Sequence, residues 1–249
     1  MRFFTLVFFI LFSISSFSQI LNVERLRKVT DTTGWSGAIA IDFTLARAVN
    51  DFFIVANDIH LQYKLEKHLF LLKNQLRFTK IEGENFSNNG ITHFRYNYKW
   101  KPRITAEAFL QGQYNKVSKI DLRLLAGLGP RFKLSNLENY KFYLGTLVMY
   151  EHEELSDGST TSRDFRGSAY FSFTMYPNDI FSFVSTTYYQ PLFSDIGDFR
   201  IASESSIAIK AFKNFAFKLT YLFTYDETPA EGIQNSQYRF ATGIIYSFN

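Results

Sequence analysis

The stretch at residues 237–249, Gln-Tyr-Arg-Phe-Ala-Thr-Gly-Ile-Ile-Tyr-Ser-Phe-Asn, decides the fold class. Every second residue from Tyr238 to Phe248 is apolar, aromatic or Thr, and none is charged. The alternate row, from Gln237 to Ser247, is mixed and mostly small or polar. A period of two is typical of a β-strand. An aromatic-rich apolar row backed by a polar row favours a strand of a transmembrane β-barrel. The closing strand of a soluble sandwich is the alternative.

Strand-length runs with this alternation recur from Gly34 to the end of the chain, and we count about twelve. Most are near the roughly 9–11 residues that cross a bilayer as a tilted strand. An even number puts both chain ends on one side of the membrane. We expect polar loops at 80–90, 154–163 and 227–236, each after an odd-numbered strand. That asymmetry matches short periplasmic turns and longer outer loops.

The distribution of charged and aromatic residues separates the two alternatives. In the register chosen, every charged residue inside a strand falls on the row that does not face lipid. Tyr and Trp lie near strand ends, as in the aromatic belts at membrane interfaces. The sequence therefore predicts an all-β protein, a single transmembrane antiparallel up-and-down β-barrel of about 12 strands.

The start of the chain indicates export. A charged residue, an apolar run and a small-residue cleavage site predict a signal peptide at residues 1–18. Residues 19–33 are expected to form a short periplasmic segment, and residues 34–249 the outer-membrane barrel of a Gram-negative bacterium. The 249 residues include 29 Phe and 15 Tyr but no Cys, so disulfides and a lipid-anchored cysteine are excluded. The net charge of +4 is small and the basic residues are scattered along the chain, so nothing indicates nucleic-acid binding.

Three stretches in the middle of the chain carry a family resemblance. They are Ala-Glu-Ala-Phe-Leu-Gln-Gly-Gln-Tyr-Asn at 106–115, Asp-Leu-Arg-Leu-Leu-Ala-Gly-Leu-Gly-Pro-Arg at 121–131, and Thr-Tyr-Tyr-Gln-Pro at 187–191. From about Phe52 onward the chain resembles the domain-of-unknown-function 481 family, which includes proteins described as salt-induced outer-membrane proteins. The resemblance implies an outer-membrane barrel and no catalytic residues. The aromatic end, with Tyr246 and Phe248, resembles the assembly signal of outer-membrane barrels.

The inward row of the predicted barrel carries charges of both signs. It is expected to hold Arg77, Arg95, Glu107, Asp121, Arg123, Arg166, Glu204, Lys210, Lys218 and Arg239. These residues either line a narrow channel or binding barrel for small polar solutes or ions, or form a network that plugs a structural envelope protein. Twelve strands lie between filled barrels and open porins, so both readings stay open. Glu107 is expected near Arg123 or Arg95.

A membrane-embedded lipid hydrolase is a minor alternative. His152, flanked by Glu151 and Glu153 and followed by Ser156, is the one arrangement that resembles a catalytic triad. The stretch Glu151–Glu154 could also hold a metal. Solvated residues at a loop give the same pattern, so the prediction is no enzyme, no catalytic residue, no metal and no cofactor. The expected partners are outer-membrane lipid, the barrel-assembly machinery and small polar solutes or ions.

Overall fold

The computed structural model describes residues 33–47, 51–81, 84–135, 137, 139–156, 161–178, 180–212 and 215–246. The predicted signal peptide, nearly all of the predicted periplasmic segment and Phe248 lie outside these ranges, as does the side chain of Tyr246. The described residues form twelve strands: β1 Gly34–Arg47, β2 Asp51–Leu65, β3 His68–Ile81, β4 Glu84–Lys101, β5 Ile104–Asn115, β6 Ile120–Lys133, β7 Tyr140–Leu155, β8 Thr161–Met175, β9 Phe181–Pro191, β10 Phe199–Lys210, β11 Phe215–Asp226 and β12 Ser236–Tyr246. None of these residues belongs to a helix that could span a membrane.

The strands form one antiparallel sheet in the order of the sequence, β1 to β12. Each strand pairs with the next, and among the described residues no pairing joins β1 to β12. The start of β1 and the end of β12 lie at one end of the sheet, here called the terminal end. The other end, which carries the connections at 192–198 and 227–235, is called the loop end. The expected loop at 80–90 is wrong, because β3 and β4 stay paired as far as Ile81 and Glu84.

The sheet is strongly curled. The Lys119 ammonium, in the β5–β6 connection, donates to the Glu231 carbonyl of the β11–β12 connection at 2.7 Å. These connections are six strand intervals apart, about 29 Å in a flat sheet. Tyr170 on β8 similarly reaches Glu107 on β5 at 2.6 Å, across three intervals that span about 14 Å when flat. All such contacts leave the same face of the sheet, which is therefore the concave interior.

The distribution of residues is the reverse of that in a soluble sandwich. The exterior face exposes large apolar side chains, such as Phe43 at 64% and Phe240 at 58%. The interior face buries charged ones, among them Arg123 at 0% and Glu107 at 2%. Exposed apolar area of this extent is unfavourable in water but favourable in hydrocarbon, and buried charges with partners are tolerated in the interior.

Aromatic residues mark two levels on the exterior. Trp35, Tyr98 and Trp100 lie toward the terminal end, and Tyr114 lies toward the loop end beside Gly90. Gly90 and Trp100 are ten residues apart on β4, about 34 Å along the strand and about 26 Å along the axis of a barrel with strands tilted by about 40°. That height matches the apolar band of outer-membrane barrels, which is about 25 Å.

Candidate functional site

A first group of ion pairs, here called the terminal network, is centred on Glu107 in β5. Arg131 in β6 binds its Oε1 through Nη1 at 3.0 Å, and Arg95 in β4 approaches its Oε2 at 3.8 Å. The Tyr170 hydroxyl donates to the same Oε2 at 2.6 Å. The Glu107 side chain has no exposure, so its charge depends on these partners for stabilisation.

A second group, here called the loop network, lies nearer the loop end and is larger. The Glu151 carboxylate in β7 forms ion pairs with Arg123 and Arg166, whose Nε atoms each lie 2.8 Å from one of its oxygens. It also accepts a hydrogen bond from Arg200. Glu153 accepts from Arg200 at 3.1 Å and lies 3.3 Å from Arg123. The three guanidinium groups come from β6, β8 and β10, so the network joins strands that do not pair with β7 as well as those that do.

The loop network continues into the connections at the loop end. Asp226 accepts from Arg200 Nε at 2.8 Å, and Asp198 accepts from Arg166 at 2.9 Å. The Thr228 hydroxyl then donates to the other Asp198 oxygen at 3.0 Å. The β9–β10 and β11–β12 connections are thus attached to the interior charges.

An apolar layer separates the two networks. It consists of Phe109, Leu125, Leu147, Met149, Tyr170 and Tyr188. The His93 ring stacks on Phe109 with a centroid distance of 5.3 Å, and the cavity left beside this layer is about 30 Å³. That space admits no more than a few water molecules. Side chains therefore fill the interior of this part of the sheet.

Glycines make room for the interior rings. A Cβ on Gly145 would lie 2.1 Å from the Tyr170 ring, and a Cβ on Gly127 would lie 2.4 Å from the Phe109 ring. A Cβ on Gly129 would lie 2.1 Å from the Thr146 carbonyl, beside a gap in the β6–β7 ladder at Gly129 and Pro130. Proline cannot donate to the ladder, so the gap is expected there.

The structure places the predicted inward residues in three environments. Arg95, Glu107, Arg123, Arg166 and Glu204 are buried. Arg77, Lys218 and Arg239 are partly exposed on the same face, and Lys210 is exposed at the terminal end of β10.

Asp121 does not belong to the buried row. The β-bulge between Ile120 and Leu122 places both Ile120 and Arg123 inside and leaves Asp121 exposed. A bulge adds one residue and so breaks the alternation that the prediction assumed. Glu154 and Arg163 are also exceptions, because both lie on the exterior row, near the loop end where the strands leave the hydrocarbon band.

Glu107 does not pair with Arg123. Arg123 faces Gln113, six residues along β5 from Glu107, which is about 20 Å. Of the two partners expected for Glu107, Arg95 is the one that approaches it. Arg131, eight residues beyond Arg123 on the same interior row, is closer still.

The prediction missed several residues of the networks, namely Arg131, Glu151, Glu153, Arg200 and Asp226. The signal for Glu151 and Glu153 was the row that begins at Gly145 and continues through Leu147 and Met149, all of which are buried. The prediction grouped these two carboxylates with His152 in a cluster at the end of the strand, and therefore did not assign them to the interior row.

The residues considered for a hydrolase are not arranged as a triad. Ser156 donates to Asp121, and His152 Nε2 contacts Glu154 Oε1 at 2.9 Å. Glu151 and Glu153 point to the interior, away from His152 on the exterior row. Across the part of the chain that the structure describes, no group of three His, Asp or Glu residues could hold a metal ion.

The comparison with protein families assigns the chain. The family described as "Protein of unknown function, DUF481" matches residues 50–248. The chain belongs to the DUF481 family. No curated protein matches it. The match covers eleven of the twelve strands, so the networks described above lie within the DUF481 region.

Solved structures give the fold. The NanC porin is similar with a TM-score of 0.50 and 11% identity, over 84% of this chain and all of the porin. The outer-membrane channel DcaP of Acinetobacter baumannii has a TM-score of 0.40 and 9% identity, over 84% of this chain and 83% of the channel. The sheet of twelve strands in sequence order and the similarity to the NanC porin show that the DUF481 chain has the fold of an up-and-down β-barrel of the outer-membrane porin type.

Proposed function

We propose that the DUF481 protein is a barrel of the Gram-negative outer membrane whose interior is closed by its own side chains, so that it has no permanently open pore. One observation carries this proposal. The two ion-pair networks and the apolar layer occupy the interior between β4 and β10, where the cavity beside the apolar layer has a volume of only about 30 Å³.

The interior charges suit a structural role because they are joined to one another. Glu151 alone has three arginine partners on β6, β8 and β10. Removing one member of such a buried group leaves part of the remaining charge uncompensated, which makes opening the interior costly. Charges that line a water-filled channel would instead keep much of their exposure.

Conductance in a planar bilayer tests the proposal. The purified barrel is expected to add no discrete current steps, from low to high salt. Arg200→Ala is expected to give fluctuating current, because it removes contacts to Glu151, Glu153 and Asp226 together. Glu66→Gln, in the exposed β2–β3 turn, is the matched control and is expected to behave as the wild type. Steady steps from the wild type would overturn the closed interior.

A narrow channel for small polar solutes or ions is the second candidate. It is favoured by the interior face of β11 and β12, where Lys218, Thr220 and Arg239 are only partly buried. If this wall lines a pore, Lys218→Glu shifts the reversal potential toward cation selectivity. Wild-type current with no such shift would count against a pore along this wall.

A further inference from the structure

Three polar side chains on neighbouring strands form a row on the exterior face, where the fold otherwise presents apolar residues to lipid. Asn57 in β2, Asn74 in β3 and Thr92 in β4 lie on the rows opposite to the buried ones. The amide of Asn57 donates to Asn74 Oδ1 at 3.0 Å, and the amide of Asn74 donates to the Thr92 hydroxyl at 2.9 Å. Polar groups in a lipid-facing wall are costly unless they are satisfied, so this chain of hydrogen bonds calls for an explanation.

The direction of the chain is fixed at its start. The backbone N–H of Leu76 donates to Asn57 Oδ1 at 2.7 Å, and a backbone N–H can only donate. Asn57 must therefore present its amide nitrogen to Asn74, and Asn74 must present its own nitrogen to Thr92. Among the described residues, the Thr92 hydroxyl accepts this bond and makes no other. The chain thus ends on an O–H group that has a hydrogen to donate.

The Thr92 hydroxyl stands at the edge of an apolar groove. The groove has a volume of about 370 Å³, and Phe94, Leu110, Gly112, Leu124 and Tyr150 line it together with Thr92. Gly112 pairs with Thr92, and its missing side chain leaves the space between Leu110 and Leu124 open. Apart from the hydroxyl at its edge, the exterior side chains of the groove offer almost only hydrocarbon contacts.

The groove lies just inside the aromatic level at the loop end. Tyr114 is the next exterior residue after Gly112 on β5, and Tyr150 closes the groove on β7. Tyr side chains at this level mark the boundary between hydrocarbon and headgroups, where the acyl carbonyls of lipids lie. A ligand that puts hydrocarbon in the groove and a carbonyl oxygen at Thr92 would match both the depth and the chemistry.

We propose that this groove binds an ester-linked acyl chain of a membrane lipid, with the Thr92 hydroxyl donating to the ester carbonyl. The proposal rests on the membrane location argued above, because only there does this face meet lipid. It is independent of whether the interior is open or closed. The Asn57–Asn74 pair orients the hydroxyl, and Gly112 provides the space.

Lipid retention measured by native mass spectrometry tests the proposal. The barrel, folded in detergent, is offered diacyl phosphatidylglycerol or its dialkyl ether analogue, which lacks both carbonyls. The wild type is expected to retain the ester lipid about fivefold better, the effect of about one neutral hydrogen bond. Thr92→Val is expected to lose this preference, and Thr92→Ser is expected to restore it. Thr187→Val, at an exterior Thr that bonds Ser203 at 2.9 Å, is the matched control and keeps the preference.

The groove itself is tested by filling it. Gly112→Leu is expected to reduce retention of both lipids, whereas Ala108→Leu, at an exposed exterior position of the same strand, is expected to leave it unchanged. A Cβ on Gly112 would lie 3.5 Å from Leu124, an ordinary contact, so the variant is expected to fold. Equal retention of ester and ether lipid by the wild type, or an unaltered preference in Thr92→Val, would overturn the proposal. Failure to form a heat-modifiable barrel in detergent would instead overturn the membrane location.

Discussion

The terminal network gives the sharpest stability prediction, which is for Glu107→Gln. The substitution keeps the shape of the side chain but removes its charge. Arg131, at 3.0 Å, and Arg95, at 3.8 Å, then face each other's charge with no carboxylate between them. The Tyr170 hydroxyl, which donates at 2.6 Å, exchanges a charged acceptor for a neutral one.

The magnitude follows from the burial of the group. Removing one partner of a fully buried ion pair typically costs about 3–5 kcal/mol, since the remaining charge stays uncompensated. A glutamine oxygen can still accept from Arg131 or from Tyr170, which offsets part of the loss. We expect the free energy of unfolding to fall by about 3 kcal/mol. Glu66→Gln in an exposed turn should change it by less than about 0.5 kcal/mol.

Reversible urea unfolding in lipid vesicles, followed by tryptophan fluorescence, measures this difference. Arg131→Gln and the double variant with Glu107→Gln complete a double-mutant cycle, for which we expect a coupling energy of about 2 kcal/mol. If Glu107→Gln unfolds within 0.5 kcal/mol of the wild type, as the control does, the carboxylate is not the centre of a stabilising network and the reasoning is refuted.

Three further predictions follow from other parts of the barrel. Glu151→Gln is expected to lower the free energy of unfolding by about 2 kcal/mol in the same urea assay, less than Glu107→Gln, because Glu153 and two aspartates still form ion pairs with the arginines. A larger loss of stability for Glu151→Gln than for Glu107→Gln would contradict this prediction. Gly145→Val is expected to cost about 1–3 kcal/mol by displacing the Tyr170 ring, whereas Gly112→Ala, with its nearest contact at 3.5 Å, should be nearly neutral. Phe248→Ala is expected to lower the folded yield in cells while refolding in detergent stays normal, and unchanged insertion in cells would count against the assembly-signal hypothesis.

Much of the fold was readable because strand periodicity is a local property. The alternation of aromatic and polar residues in 215–226, for example, specifies both the strand and the face it presents to lipid, whatever its neighbours are. The number of strands, their up-and-down order, and which face is apolar and which is polar follow from repeating that inference along the chain. Regular alternation also placed Arg95, Glu107, Arg123 and Arg166 on the interior face, where they are buried.

The partners of these residues were decided only by the tertiary structure. Whether Glu107 meets Arg123 or Arg131 depends on the strand register, and the observed register places Arg123 opposite Gln113, six residues along β5 from Glu107. The exposure of Asp121 depends on a β-bulge, which inserts one extra residue into the strand. No particular residue type marks this bulge in the sequence. The contacts of Arg200 in β10 with Glu151 in β7 depend on the curvature of the whole sheet. Periodicity assigns a side chain to a face, whereas register and curvature, which depend on many strands at once, decide which side chains meet across the interior.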